Sequence, residues 1–319
     1  MYFPYVRGRQ YELLALRELV ANNLIGKNIV PVVEPVKLSP TLVNMMAEFI
    51  KANHPISIIR NPSVGTFLSD YQKVKQNSKE ATYRDKFEEQ YKDSNVIKSV
   101  IIQNGCHELL NYWGEYDIVK KQDVLVIATN RDWLWLYEKY FESEYPKFAL
   151  IPDESVFRRK IRRNKVLLDD KFKKQERNAD YQDVTDEFFS DDHIYYIEDG
   201  FVGFSDYSII GDEYSDSGFA PYAVAIHIVY FADDKSLRVK HFVSDSNEDI
   251  ANPALKFYQA VEKLTKWYRN EKPNIEMTFG LKTFLDHYDN QTYPGLGTVK
   301  KLSLMHHLEL MSKYLDEEK

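Results

Sequence analysis

Short runs of apolar, often β-branched residues recur along this chain, and each closes on a polar side chain. In the first half they are MYFPYVR (1–7), IVPVVEPV (29–36), ISIIRN (56–61) and SVIIQN (99–104); then follow VLVIATN (124–130), FALIPD (148–153), KVLLDD (165–170) and FVGFSD (201–206). Most are apolar throughout rather than alternating, as in parallel strands buried on both faces. Helical spacing fills the gaps: residues 10–20 set Leu13, Leu16, Leu19 and Val20 on one face, residues 42–50 repeat the theme, and 133–141 do so with aromatics. Strand-helix alternation predicts a parallel sheet with right-handed crossovers. With eight such units, closing the sheet leaves no edge strand exposed, so the predicted fold is a TIM-like (β/α)8 barrel over residues 1–221. A doubly wound open sheet is the competing arrangement.

Residues 222–319 read differently. AVAIHIVYF (223–231), the polar turn ADDKS and LRVKHFVS (237–244) form a β-hairpin, and helices are predicted at about 253–270 and 298–315. No Pro/Gly/Ser-rich linker precedes them, so this part is predicted to be a hairpin-plus-helices extension packed on the barrel.

Composition agrees with a folded globular protein. The chain has 319 residues, 44% hydrophobic and 29% charged, with a mean hydropathy of -0.49. No apolar run reaches the ~18 residues of a membrane span, so no membrane association is expected. The start of the chain lacks the basic and apolar regions of a secretory signal, which reads as cytoplasmic. A single cysteine, Cys106, rules out an intramolecular disulfide framework and a multi-cysteine metal site.

The net charge of -7 conceals a pattern. Residues 158–177 hold ten Lys/Arg against three Asp/Glu, whereas 178–234 hold fourteen Asp/Glu and no Lys or Arg. So many like charges require something positive against them. Either the basic stretch folds onto the acidic one, or the two serve as a phosphate-binding patch and an acidic surface for a metal or basic partner.

Candidate chemistry lies where the strands end, because the loops at the carboxyl ends of barrel strands converge on one axis. The polar ends are Arg7, Glu34, Arg60 with Asn61, Gln103 with Asn104, Asn130, Asp153, Asp169 with Asp170, and Asp206. Glu34 sits within an otherwise apolar strand, where an unpaired carboxylate is costly, so it should pair with Arg7 or Arg60 or meet a ligand. Glu34 and Asp206 are the candidate catalytic or orienting carboxylates. Arg7, Arg60, Asn61, Asn104 and Asn130 are the candidate ligand-binding residues. Asp153 and Asp169 could join a divalent-cation site, the one cofactor class these oxygens suit. The loops NPSVGTF (61–67) and PGLGTVKK (294–301) are loose phosphate-cradle patterns. Cys106 beside His107 reads as an inert thiol, since adjacent side chains rarely face each other. His227 and His241 fall on opposite hairpin strands, and of His306 and His307 one is expected to face solvent and one to pack.

MYFPYVRGRQYELLALRELV followed by IVPVVEPV resembles the start of the Beta protein family, named after a phage beta protein and including many bacterial members. The resemblance is carried by Tyr2 and Pro4, Arg7-Gly8-Arg9, Glu12, Ala15-Leu16, Pro31 and Glu34. SDYS (205–208) and HFVSD (241–245) also look similar to the bacterial branch. It implies a barrel-like protein carried by prophages and mobile elements, without an established reaction, encoded beside a partner protein as in a phage-defence module.

The leading functional expectation is therefore a barrel-mouth pocket that recognises a phosphorylated ligand, a nucleotide or a nucleic-acid end. A metal-dependent hydrolase using Glu34, Asp153, Asp169 and Asp206 is the alternative. A third reading is a non-enzymatic interaction protein using its acidic 178–234 segment.

Overall fold

The computed structural model describes residues 1–75, 78–215, 221–271, 273 and 275–317. Among them, eight parallel strands form one sheet: β1 (Tyr5–Val6), β2 (Val32–Val33), β3 (Ile56–Ile59), β4 (Val96–Ile101), β5 (Leu125–Ile127), β6 (Phe148–Ile151), β7 (Lys165–Asp169) and, after an excursion that includes β8 (Asp186–Ser190), β9 (Gly203–Asp206). Each lies within one of the eight apolar runs or overlaps it, and they neighbour one another in chain order. Closure is made just ahead of β1. Tyr2 bridges both Ile29 and Phe204, and the Phe3 amide donates to the Phe204 carbonyl at 2.8 Å. The sheet is thus a (β/α)8 barrel of the TIM type, and the open doubly wound alternative is excluded.

The interior is filled by branched aliphatic side chains such as Val32, Leu125, Ile127, Leu150 and Val166, with a few large rings and small residues among them. The Phe3 ring meets Phe148 edge-on at 4.7 Å, which crosses the barrel because β1 and β6 are not neighbours. A Cβ on Gly203 would lie 2.7 Å from the Phe3 ring, so glycine makes room for that crossing. Ser57 and Ser99, both fully buried, hydrogen-bond to each other on adjacent strands. Since successive strand side chains alternate, these contacts set Phe3, Tyr5, Arg7, Ser57, Ser99, Gly203 and Ser205 inward and their neighbours outward.

The surrounding helices follow their apolar stripes. Helix Gln10–Ala21 buries Leu13, Leu16, Leu19 and Val20 as the spacing predicts. Helix Pro40–Lys51 starts on Ser39, whose hydroxyl accepts from the Leu42 amide at 3.3 Å, with Pro40 in the first turn, where its missing N–H costs nothing.

The chain divides into two compact units that differ from the sequence boundary at 221/222. One holds residues 1–21, 27–169 and 195–206; the other holds 22–26, 170–194 and 207–319. The second unit contains the predicted hairpin, β10 (Ala225–Phe231) and β11 (Leu237–Val243), with β8 as a third antiparallel strand on β11. Helices Pro253–Glu271, Phe279–Asp289 and Leu296–Glu317 complete it; the middle one was not predicted.

Within this unit the last part of the basic stretch, residues 171–177, folds onto the acidic one, whereas Arg158 and Lys160 of the first unit pair with Asp153 and Glu138. Lys171 pairs with Asp192, Lys173 with Glu187, Lys174 with Glu213 and Arg177 with Asp180, at 2.6–3.2 Å. Asp186 accepts from Arg238, Lys240 and Tyr230.

Candidate functional site at the barrel mouth

Glu34 ends β2 on the inward side and is fully buried. Its Oε2 accepts from the Tyr5 hydroxyl at 2.6 Å and from Arg7 Nη1; its Oε1 accepts from the Ser63 amide at 2.6 Å and the Ser63 hydroxyl at 2.7 Å. Parity explains the grouping: Tyr5 is level with Val32 across the ladder, which brings Arg7 level with Glu34 two residues on. The carboxylate therefore clamps the end of β1 to the loop that follows β3, with a charge-assisted bond on each side.

That loop has its own backbone requirement. Gly65 adopts φ +74°, and a Cβ there would overlap the Val36 carbonyl oxygen, while Thr66 and Phe67 amides both donate to that same oxygen. Gly65→Ala is expected to cost more than the ~1–2 kcal/mol of left-handed backbone alone, because the clash is with main chain that cannot swing away. A urea-unfolding midpoint measures it, and a midpoint equal to that of the parent chain would contradict the fit.

The other strand-end residues go to different places. Asn61 pairs its side-chain amide with the Ile101 main chain in both directions, at 2.8 and 2.9 Å, and its carbonyl accepts from Gln103 Nε2, so it ties the end of β3 to the end of β4. Asn130 accepts from the Asp132 amide and starts the 3-10 turn Arg131–Trp133. Arg60 is outward: it pairs with Glu88 at 3.0 Å and lies over the Tyr71 ring at 4.3 Å. Asp206 is outward as well, accepting from the Tyr2 hydroxyl at 2.6 Å, and Asp169 sits level with it on β7. Asp153 pairs with Arg158. The four residues Arg7, Glu34, Arg60 and Asp206 thus do not meet; only the first two do. Among the described residues, no three His, Cys, Asp or Glu side chains are grouped to hold a metal ion. Asp170 accepts from the Phe172 and Asp212 amides, and burial raises its pKa.

Above the ends of β3, β4 and β5 opens a pocket of about 550 Å3. Ser63, Gln103, Asn104, Thr129, Asn130 and Trp133 supply its polar and aromatic lining, and among the described residues no charged side chain lines it. Asn104 and Asn130 were foreseen there. Tyr5 and Ser63 as partners of Glu34, and Thr129 and Trp133 in the pocket, were not; the signal available was Ser63 in the loop NPSVGTF and Tyr5 spaced two residues before Arg7. The glycine loop thus serves Glu34 through its serine, whose amide and hydroxyl both donate to the carboxylate.

Cys106 is buried, which raises its thiol pKa, as an inert side chain requires. In the second unit His227 and His241 meet across the hairpin, Nδ1 to Nδ1 at 2.7 Å, and His241 Nε2 faces Glu187 at 3.3 Å. His306 and His307 correct the expectation of one solvent-facing ring: both are fully buried.

Comparison of the chain with family models, curated proteins and solved structures returns no match.

Proposed function

We propose that the chain is a ligand-binding barrel protein whose mouth takes a nucleotide or nucleic-acid end, held chiefly by its base. The observation behind this reading is the uncharged, amide-rich pocket with one tryptophan at the carboxyl ends of three strands. Amide side chains pair donors with acceptors in the spacing of a base edge, and an aromatic face stacks on any base. Arg7 and Arg60, the expected phosphate binders, are each engaged by a glutamate, which shifts the weight of recognition from phosphate to base. The biological setting we propose, a mobile-element or phage-defence module with a partner encoded nearby, rests on the resemblance of the first 36 residues.

Thermal shifts with nucleosides, their monophosphates and short single-stranded DNA test the reading, because a ligand bound only by the folded state raises its melting point. Nucleoside and nucleotide should stabilise to a similar extent. Trp133→Ala should weaken either by roughly tenfold, from the ~1–3 kcal/mol of one stacked base. No shift with any of the three at millimolar concentration would remove the proposal.

A further inference from the structure

A second cavity, of about 870 Å3, lies outside the barrel. Helices Phe67–Lys73 and Lys79–Tyr91 supply one wall, helix Cys106–Glu115 the other, and β4 the floor. Outward positions on a barrel strand normally carry apolar residues beneath the helices, and Val96 and Val100 follow that rule at full burial. Between them stands Lys98.

The Lys98 ammonium donates to the Asp93 and Val96 carbonyls, both at 3.0 Å, and lies 5.7 Å from the Tyr91 ring centre. Among the described residues it has no carboxylate within 4.0 Å. An ammonium has three donors, so two carbonyls leave one to satisfy, and neither carbonyl neutralises the charge. Burial lowers the Lys98 pKa, with Asp93 and Asp123 opposing only in part. Arg60, also on this cavity, differs in being matched already by Glu88. The walls are mixed: Tyr112, 52% exposed, and the largely buried Trp113 line the space together with the acidic Glu108 and Asp117 and the basic Lys92. The whole chain carries a charge of -7, so an anion gains nothing from the general field and must be drawn by the local cation.

We infer that this groove binds a small organic anion with a planar apolar body, its carboxylate or sulfonate on Lys98 and its ring against Tyr91, Tyr112 and Trp113. A half-buried cation that faces two carbonyls rather than a carboxylate supplies the charge contact, and the exposed Tyr112 ring supplies apolar area. This site is independent of the barrel mouth, since Lys98 and the interior Ser99 point to opposite faces of β4.

1-Naphthoate is the probe, with 1-naphthylmethylamine as its cationic counterpart of the same shape. Titration calorimetry of the full chain should show one naphthoate bound per chain and none of the amine. Lys98→Met should weaken naphthoate by about tenfold, the loss of one charged hydrogen bond, while Lys98→Arg retains most of the affinity. Tyr112→Ala, at an exposed position that leaves the fold intact, should weaken it about threefold through lost ring contact. Equal binding of the acid and the amine, unchanged binding by Lys98→Met, or no naphthoate bound at millimolar concentration would each overturn the assignment. Should Lys98→Met not fold, the acid-amine contrast together with Tyr112→Ala decides.

Discussion

Glu34→Gln is expected to lower the unfolding free energy by about 3–5 kcal/mol, the cost of removing one partner from a buried charge pair. Four donors converge on the two carboxylate oxygens: Tyr5 and Arg7 on one, the Ser63 amide and hydroxyl on the other. A glutamine has one oxygen and one NH2, so either orientation sets that NH2 against an obligate donor, the Arg7 guanidinium or the Ser63 amide, and the charge facing Arg7 is lost. Urea unfolding followed by far-UV circular dichroism reads the loss directly. A decrease below ~1 kcal/mol would mean that the pair is solvated and that the clamp between β1 and the loop after β3 is not made as described. Because Ser63 also lines the mouth pocket, the same variant should bind a mouth ligand less well in proportion to the freedom the loop gains.

Acid should destabilise the second unit well before its carboxylates protonate. Burial lowers the His306 pKa to about 4 and that of His307 to about 3. Burial holds both rings neutral, with the Val229 carbonyl opposing it in part at His306. His306 meets the Thr278 hydroxyl and the Val229 carbonyl, each at 2.7 Å, and His307 meets Ser208 at 2.7 Å. In the unfolded chain these imidazoles titrate near 6.5, so below that pH the unfolded state binds more protons than the folded one. Their contribution is complete above the unfolded value and is lost as pH falls toward the folded values. For His306 alone the loss between about pH 6.5 and 4 is on the order of 3 kcal/mol. His227 and His241, also lowered by burial, act in the same direction. Denaturant unfolding at pH 7.5 and pH 5 measures the slope. His306→Gln should be less stable than the parent at pH 7.5 yet show a flatter dependence, and an identical slope in the two proteins would dispose of this account.

What could be read from the residue pattern was the number, order and type of the barrel strands, because a buried parallel strand must be apolar and a surrounding helix must carry a stripe. The hairpin was legible for the same local reason. β8 was not: Asp186–Ser190 has little strand signal of its own, and it exists as a strand through pairing with β11, where Asp186 meets Arg238 and Lys240.

The inward or outward sense of each strand end was also hidden, and that decides the candidate site. A strand buried on both faces is apolar at every position, so its sequence carries no alternation from which to read parity. Only closure of the barrel through Tyr2 and Phe204 sets it, turning Arg7 and Glu34 into the mouth and Arg60 and Asp206 out toward the helices. The neutrality of His306 and His307 has the same origin. Their burial depends on Thr278, Val229 and Ser208, residues between 28 and 99 positions away in the chain, and tertiary packing alone brings such partners within hydrogen-bonding reach.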